Sequence, residues 1–376
     1  MGKRELLLVL GFVALGTLVY QVTAPAPAPG QSPFSLRRIV DNIRREFQGN
    51  RVSAEVTMTA SHPVPEGLRE LRLTLQNTPV IITGEDRTDI ASELWVRSTG
   101  YDEAEAKSLA GQSALTVEPA GPTITVSLKY PSGGSQRGKL QLRVPSDMLV
   151  FFGPTNVRIE VTGTRGVEME SARGETILKN ITGGVTAHHR GGDFTVEDVG
   201  AVRLTARGSD VRLSRVHGDA NLVLEAGALR GADLAGPIDI QATSADVVLE
   251  NFQEPGGPVR IASVTGSVIL RGLRGEGRVE GRNAEIDVAI DRARPLAIFN
   301  SGEPVQVTLP PDGYTLDAIA TDGTITMPDA VTSQLTTTAS PDGKEHKASG
   351  NVHGGGPTIT IRATRGGIRF NLHESR

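Results

Sequence analysis

Alternating apolar and polar residues recur in short stretches through the middle of the chain, and they repeat about every 18 residues. We mark one residue in each repeat as a reference position. Apolar residues stand one, three and six positions after most of these marks, and a second short alternation follows in each repeat. Strict alternation indicates strands, so each unit is expected to hold two short strands and two turns. The marks that fix this register are Glu175, Asp193, Asp210, Ala228, Asp246, Ser267, Glu285, Glu303 and Thr324.

One such unit cannot bury its inward side chains alone, but stacked units bury them as continuous aliphatic columns. The pattern therefore predicts an all-β fold, a single-stranded β-solenoid of about 18 residues per coil. The clearest column stands six residues after the marks: Ile181, Val199, Val216, Leu234, Phe252, Leu273 and Leu309. A glycine commonly follows, and we expect it to supply the φ angles that turns need, at Gly183, Gly200, Gly218, Gly236, Gly257 and Gly275.

The sequence constrains the handedness of the solenoid less strongly than it constrains the number of residues per coil. Eighteen residues per coil also fits the left-handed hexapeptide helix, which needs a small aliphatic residue at every sixth position. The apolar offsets here are one, three, six, ten and twelve, so that rule fails. We therefore predict a right-handed or flattened β-helix.

The segments around the repeats predict the rest of the organisation. Residues 52–150 form a β-rich entry region with a helical insertion near 102–109, either an antiparallel β region or irregular opening coils. The solenoid repeats occupy 151–330. Residues 331–357, rich in Thr, Ser, Gly and Lys, read as an exposed loop, and 358–376 as closing strands that form the last coil.

The N-terminus predicts a membrane anchor or signal segment over residues 1–22. Lys3 and Arg4 precede an apolar run at 6–22, which is longer than the usual apolar region of a signal peptide. A proline follows each Ala-x-Ala triplet downstream, which favours an uncleaved transmembrane helix over a cleaved signal peptide. The positive flank stays inside, so the C-terminal part is expected to be extracytoplasmic, in the periplasm or on the cell surface.

Two further segments separate this predicted anchor from the β region. Residues 23–33 form a Pro/Ala-rich linker, which is expected to be a semi-rigid spacer. Residues 34–49 read as an amphipathic helix with a basic face. That face either contacts anionic lipid headgroups, or the helix packs on the β domain that follows.

Composition excludes several classes of function. The chain has 376 residues with no cysteine, which removes disulfides, thiolate metal sites and a cysteine nucleophile. Its formal net charge of −4 is too close to neutral for an electrostatic nucleic-acid binder. Ser-His-Asp, P-loop and dinucleotide signatures are also missing. The partners that remain are the membrane, an envelope protein and a glycan.

Two clusters of ionisable residues are candidates for chemistry. His188 and His189 lie near Asp193 and Glu197, but adjacent residues of a strand point to opposite faces, so both histidines cannot easily bind one ion. The second cluster is an acidic column of Glu175, Asp193 and Asp210. Three arginines at the same corner would cancel its repulsion: Arg173, Arg190 and Arg207.

The acidic column leaves three interpretations open: a structural ladder, divalent cation bridging, and a sugar-binding or catalytic groove. We assign no catalytic, cofactor-binding or metal-binding residue. The alternative function is a carbohydrate-active β-helix enzyme, which would need convergent carboxylates in a groove. Aromatic platforms for sugars are scarce, and the one tryptophan, Trp95, precedes the solenoid.

Several stretches resemble the bacterial family of putative adhesins, a domain of unknown function related to autotransporter-adhesin-head-like domains. Residues 79–86 are similar to its opening strand and 140–147 to its entry into the solenoid. The repeats at 157–327 resemble its body, and 321–325 with 355–368 resemble its closing segment. The resemblance covers roughly 71–372 and implies an envelope-associated β-solenoid without catalytic residues to carry over.

Overall fold

The computed structural model describes residues 51–373 except 76, 254 and 255, together with residues 12, 15 and 16. The predicted anchor, linker and amphipathic helix lie outside the described residues, apart from those last three. Within the described part, no helix is long and apolar enough to cross a membrane. Strands take up 67% of the described residues and helices 5%, so the predicted all-β class is confirmed.

The entry region contains seven strands and one helix. Helix α1 (Glu103–Gly111) starts at Asp102, whose carboxylate accepts a hydrogen bond from the Glu105 amide, and it confirms the predicted helical insertion. The strands are β1 (Val52–Pro63), β2 (Glu70–Thr74), β3 (Val80–Glu85), β4 (Asp89–Gly100), β5 (Ala114–Ala120), β6 (Thr123–Lys129) and β7 (Gln136–Pro145).

Sixteen further strands and one short helix, α2 (Asp329–Thr332), make up the remainder of the described chain. The strands are β8 (Leu149–Phe152), β9 (Ile159–Thr162), β10 (Gly166–Ala172), β11 (Thr176–Val216), β12 (Ala220–Leu234), β13 (Ile238–Glu250), β14 (Val259–Leu273), β15 (Gly277–Ile290), β16 (Leu296–Ser301), β17 (Val305–Leu309), β18 (Tyr314–Thr321), β19 (Ile325–Thr326), β20 (Thr336–Ala339), β21 (Glu345–Val352), β22 (Thr358–Thr364) and β23 (Ile368–Leu372).

Successive repeats stack as parallel coils, which confirms the predicted register. Val202 pairs with Ala220, Ala220 with Ile238, and Ile238 with Val259, at the steps that the sequence repeat has. Each coil places one strand on each of two faces. We call face A the one that contains Leu204 and Leu222, and face B the one that contains Val211 and Leu229.

The inward side chains between the two faces form the aliphatic core. All seven residues of the predicted column six positions after the marks are buried, and Ile181 and Val216 are 0% exposed. The exposed residues of the same strands alternate with them, as in Arg203, Thr205 and Arg207. The assignment of inward and outward faces from the sequence is therefore confirmed for these coils.

The reason for the glycine column differs from our expectation. Left-handed φ angles occur at the residues just before the buried column, at Asn180, Asp198, Arg215, Asp233 and Asn251, with φ between 52° and 58°. The predicted glycines are not in that region of φ. A Cβ on Gly200 would instead lie 1.9 Å from the Gly183 carbonyl oxygen, and one on Gly236 would lie 2.3 Å from that of Gly218. Glycine stands here because neighbouring coils approach too closely for a side chain.

The substitution Gly200→Ala is therefore expected to destabilise the fold by about 2 kcal/mol, as overpacking commonly does. Gly111→Ala is a matched control, because an added Cβ there has nothing within 4 Å. The control should be neutral or slightly stabilising. Chemical denaturation of both variants measures the difference, and equal midpoints would contradict close coil contact as the reason for glycine at 200.

The entry region combines the two arrangements that the sequence left open. Strands β2 and β3 form a first parallel coil, since β2 pairs with β8 and β3 with β9. Strands β6 and β7 continue the two faces in parallel beyond that coil. The outermost strands then turn antiparallel: β5 pairs with β6, β4 with β7, and β1 with β4. Ala106 and Ala110 of α1 are buried beside β1 and β4.

The other end of the solenoid differs from the prediction in two ways. Strands β22 and β23 do not form the last coil, because β22 lies between β16 and β18, and β23 lies between β17 and β19. The predicted exposed loop at 331–357 instead contains α2, β20 and β21. Strand β21 pairs antiparallel with β18 over eight residue pairs, and β20 pairs with β21, so this hairpin extends face A.

Candidate functional site

The two adjacent histidines point in opposite directions, as strand geometry requires. His188 is exposed on face A, whereas His189 is 1% exposed and lies between coils. Its Nε2 lies 3.0 Å from the Gly174 carbonyl oxygen and its Nδ1 lies 2.9 Å from Ser209 Oγ. Because a carbonyl only accepts, Nε2 carries the proton and Ser209 donates to Nδ1. His189 is thus a hydrogen-bonded core residue that links three coils.

Burial lowers the pKa of His189, although the Gly174 carbonyl and Asp193 oppose this shift. The folded chain therefore binds a proton at His189 less readily than the unfolded chain, whose histidine has a pKa near 6.5. The neutral ring contributes its full stability above that pH, and the contribution is lost as pH falls below it. We expect the free energy of unfolding to decrease between pH 7 and pH 5.

Denaturant midpoints across that pH range measure the effect. His189→Gln keeps one donor and one acceptor but cannot titrate, so its midpoint should depend less on pH than that of the native chain. His188→Gln removes an imidazole that solvent surrounds, and its pH dependence should match the native chain. Identical slopes for the native chain and His189→Gln would contradict the assignment of a buried neutral histidine.

Two members of the predicted acidic column, Glu175 and Asp193, pair with arginines other than the expected ones, and Asp210 has no ion pair among the described residues. Glu175 forms an ion pair with Arg158 at 3.1 Å, and Asp193 forms one with Arg212 at 3.2 Å. Both partners come from neighbouring coils. His188, His189, Asp193 and Glu197 do not converge, and the described residues hold no group of three metal-ligating side chains. The structural-ladder interpretation is therefore the one with direct contacts in its favour, through different arginines.

A second ion ladder lies at the opposite corner and was not predicted. Glu197 binds Lys179 from the preceding coil at 3.1 Å and Arg215 from the following coil at 2.5 Å. The hydrogen bond from Arg215 is the main reason that the pKa of Glu197 lies below its usual range. Asp198 adds a contact of 2.8 Å with His217. These exposed pairs fasten coils together and are expected to add little stability each.

Arg173, Arg190 and Arg207 all stand exposed at one corner, between faces A and B; we call this set the arginine corner. Arg173 and Arg190 lie on adjacent coils, because Ala172 pairs with His189 and the Gly174 amide donates to the Gly191 carbonyl at 3.0 Å. Arg207 forms an ion pair with Glu225 on the next coil. Among the described residues, Arg173 and Arg190 have no ion-pair partner. Their backbones lie about one strand spacing, roughly 4.8 Å, apart, so two unpaired positive charges stand on neighbouring coils.

An open trough of about 420 Å³ begins at Arg173 and continues along the same corner toward the entry region. Its walls come from three successive coils and are mainly amides and hydroxyls: Leu75, Asn77, Pro154, Thr155, Asn156, Ser171 and Arg173. Asn77 adopts a φ of 55° at its turn, and the Thr155 hydroxyl is 3.4 Å from the Leu75 carbonyl oxygen. Hydrogen-bonding groups and a cation thus meet at one surface, which we call the corner trough.

A groove of about 500 Å³ lies at the C-terminal end of the stack. Face A extends past face B there, because β20 and β21 continue beyond β18 while face B stops at β19. Ile325, Met327 and Ala348 form the apolar part of its wall. Threonines, His346 and Lys347 form the polar part. Seven of the ten residues around this groove belong to the segment 331–357, which the sequence predicts as a loop.

Sequence reasoning named the arginines of the corner but missed the trough beside them. Asn77 and Asn156 belong to coils that precede the clear repeat, so the 18-residue register did not align them with Arg173. An extension of the register backwards by one step of 18 residues, from Glu175 to Val157, would have placed Thr155 and Asn156 at the same corner. Asn77 could not be aligned in this way, since β4 to β7 intervene in the chain between its coil and the next.

Comparisons with known proteins identify a family for most of the described chain. A family model described as Toastrack DUF4097 matches residues 68–354, which is more than half of the chain. The search of curated proteins gives no match. Solved structures matched by this chain include a "putative cell adhesion protein" from Clostridium sporogenes, with 10% identity and a TM-score of 0.20. That alignment covers 85% of this chain and 100% of the other.

Two further structures come from Parabacteroides distasonis. A "putative adhesin" has 10% identity and a TM-score of 0.31, and the alignment covers 84% of this chain and 97% of the other. A "putative lipid binding protein" has 13% identity and a TM-score of 0.25, with coverage of 86% and 97%. Structural overlaps at this level carry no argument about what this chain binds.

Proposed function

Since this chain belongs to the Toastrack DUF4097 family, we propose that it is an adhesin-like, non-catalytic binding scaffold of the cell envelope. The observation that carries the proposal is the corner trough with the arginine corner beside it. Polar side chains from several coils meet there on an open surface of a continuously packed stack. Such a surface can hold a partner without converting it.

Rigidity supports this role. The core runs without interruption from the entry coil to the C-terminal coils, and the strands of each face hydrogen-bond from coil to coil. Side chains on such a stack keep fixed spacings, so a surface that spans several coils binds a partner with little loss of conformational freedom. Weak contacts distributed along coils would gain strength when many copies cluster, through avidity.

We further propose that a single helix at residues 1–22 anchors the chain in the membrane, with the β-solenoid outside the cytoplasm. The proposal rests on Lys3, Arg4 and the apolar run at 6–22. The chain leaves this segment toward β1, which stands at one end of the stack, while the C-terminal groove stands at the other. The groove would then lie roughly 65 Å from β1, at about 4.8 Å per strand.

Two measurements on the full-length chain test the function. A phosphatase reporter fused after Arg376 should be active, because that enzyme needs export, and activity of a cytosol-only reporter at this position would refute the topology. The purified chain should bind at least one member of a panel of envelope glycans and proteins, without releasing product. Product release that one carboxylate substitution abolishes would instead establish the carbohydrate-active enzyme.

A further inference from the structure

We propose that the arginine corner and the corner trough together form a binding site for an acidic polysaccharide that carries a carboxylate on its sugar units. The inference rests on the proposed function, because it names the ligand class of that same surface. Arg173 belongs to both parts of the site, and Arg190 extends it by one coil. The trough supplies neutral hydrogen-bonding groups beside these two cations.

The charges at this corner are unbalanced in a way that a ligand would correct. Two of the three acidic residues that follow these arginines in sequence are engaged elsewhere, Glu175 with Arg158 and Asp193 with Arg212. The third, Asp210, forms no ion pair among the described residues, so one carboxylate faces two unpaired guanidiniums at this corner. Glu225 neutralises Arg207, but Arg173 and Arg190 have no ion pair within the described part of the chain. Glu170 is exposed on β10, which ends just before Arg173, and it forms no ion pair with Arg173. Stacked like charges destabilise a sheet unless a counter-charge lies between them.

Arginine is suited to this task because its planar guanidinium binds a carboxylate through two parallel hydrogen bonds. Two arginines on adjacent coils, with backbones about one strand spacing or roughly 4.8 Å apart, can offer such forks to carboxylates on neighbouring sugar units. The amides of Asn77 and Asn156 and the hydroxyls of Thr155 and Ser171 can donate to and accept from the sugar hydroxyls. A neutral glycan would leave the cations uncompensated, so charge determines the preference.

The test uses the full-length chain and two probes of matched length, oligogalacturonate and neutral dextran oligosaccharide. Calorimetry at low ionic strength should show binding of oligogalacturonate and at least tenfold weaker binding of the neutral probe. Higher salt should weaken the acidic complex, since exposed charges are screened over about 8 Å at physiological ionic strength. The double variant Arg173→Gln with Arg190→Gln should lose at least tenfold in affinity.

A control removes two exposed positive charges from face B, with Arg230→Gln and Arg369→Gln. Its affinity for oligogalacturonate should change less than twofold, which separates local contacts from net charge. Melting temperatures of all variants are compared, and the corner variant should melt no lower than the native chain because it loses a repulsion. Equal affinity of native and corner variant, equal affinity for the neutral probe, or no binding of oligogalacturonate would each overturn the acidic-glycan site. A protein or neutral glycan from the wider panel could still bind in that case, and the scaffold function would stand.

Discussion

A chain that ends at residue 357 is expected to lose most of its resistance to unfolding, because it lacks the coil that β22 and β23 place inside the stack. Five apolar residues of those strands are at most 2% exposed: Ile359, Ile361, Ala363, Ile368 and Phe370. Burial of each larger side chain contributes about 1.5–3 kcal/mol to the free energy of unfolding. The truncation should therefore remove on the order of 10 kcal/mol. That is comparable with the whole stability of an ordinary domain.

Denaturant unfolding followed by circular dichroism measures this loss, and limited proteolysis should show early cleavage between β18 and the new end. The matched control ends at Leu372 and removes only the four residues beyond β23. That shorter deletion should leave the unfolding midpoint nearly unchanged. A truncation at 357 that unfolds at the native midpoint would show that β16 and β18 can close the gap between them without β22.

The second large effect is expected for Val216→Asp. Val216 is 0% exposed in the aliphatic column, and a carboxylate there would lie between two coils without a cation. An unpaired buried charge costs on the order of 4 kcal/mol or more, and part of the cost appears as a raised carboxyl pKa. The variant should therefore recover some stability at acid pH, where the new carboxyl group is neutral.

Thr205→Asp provides the control, because Thr205 is exposed on face A of the same long strand β11. A surface substitution of this kind is expected to stay within about 0.5 kcal/mol. Thermal unfolding at neutral pH compares the two. Equal shifts of the melting temperature for the two substitutions would contradict the assignment of inward and outward positions in this coil.

The repeat region could be predicted because every coil must bury its inward side chains at the same positions. Inward positions must be apolar in every unit, so a column such as Val199, Val216 and Leu234 is visible as a period in the sequence. The offsets also identified outward residues such as Thr205 correctly. Glycine was located correctly but explained wrongly, since close approach of neighbouring backbones and a left-handed φ both favour the same residue.

The ends of the stack could not be predicted because their pairings are not sequential. Leu296 pairs with Ile359, which lies beyond three strands and a hairpin in the chain, and no local pattern records that partner. The hairpin at β20 and β21 was missed because its edge strand, Thr336–Ala339, is exposed at every position and has no apolar alternation. Residue composition typical of loops also occurs in an edge strand that solvent surrounds.

The corner site was predicted only as a set of residue types. The arginines were expected to neutralise Glu175 and Asp193, which are close to them in sequence. Side chains in a strand point to alternate sides of the backbone and can extend to the next coil. Each of these two carboxylates therefore forms its ion pair with an arginine on a neighbouring coil. Sequence spacing shows which charges share a corner, but the direction of each side chain decides which of them pair.

The position of β22 and β23 also fixes the order in which the molecule can fold. Solenoids can form by adding one coil to the next along the chain. Here the coil of β18 and β19 emerges before the strands that must lie beneath it, so it cannot dock on β16 and β17 when it first appears. Sequential growth can proceed through β17 and must then wait for residues 358–372. A chain that is made from its N-terminus would therefore complete this end of the stack only after these strands had followed, and an interrupted chain would leave two unpaired edges exposed to proteases.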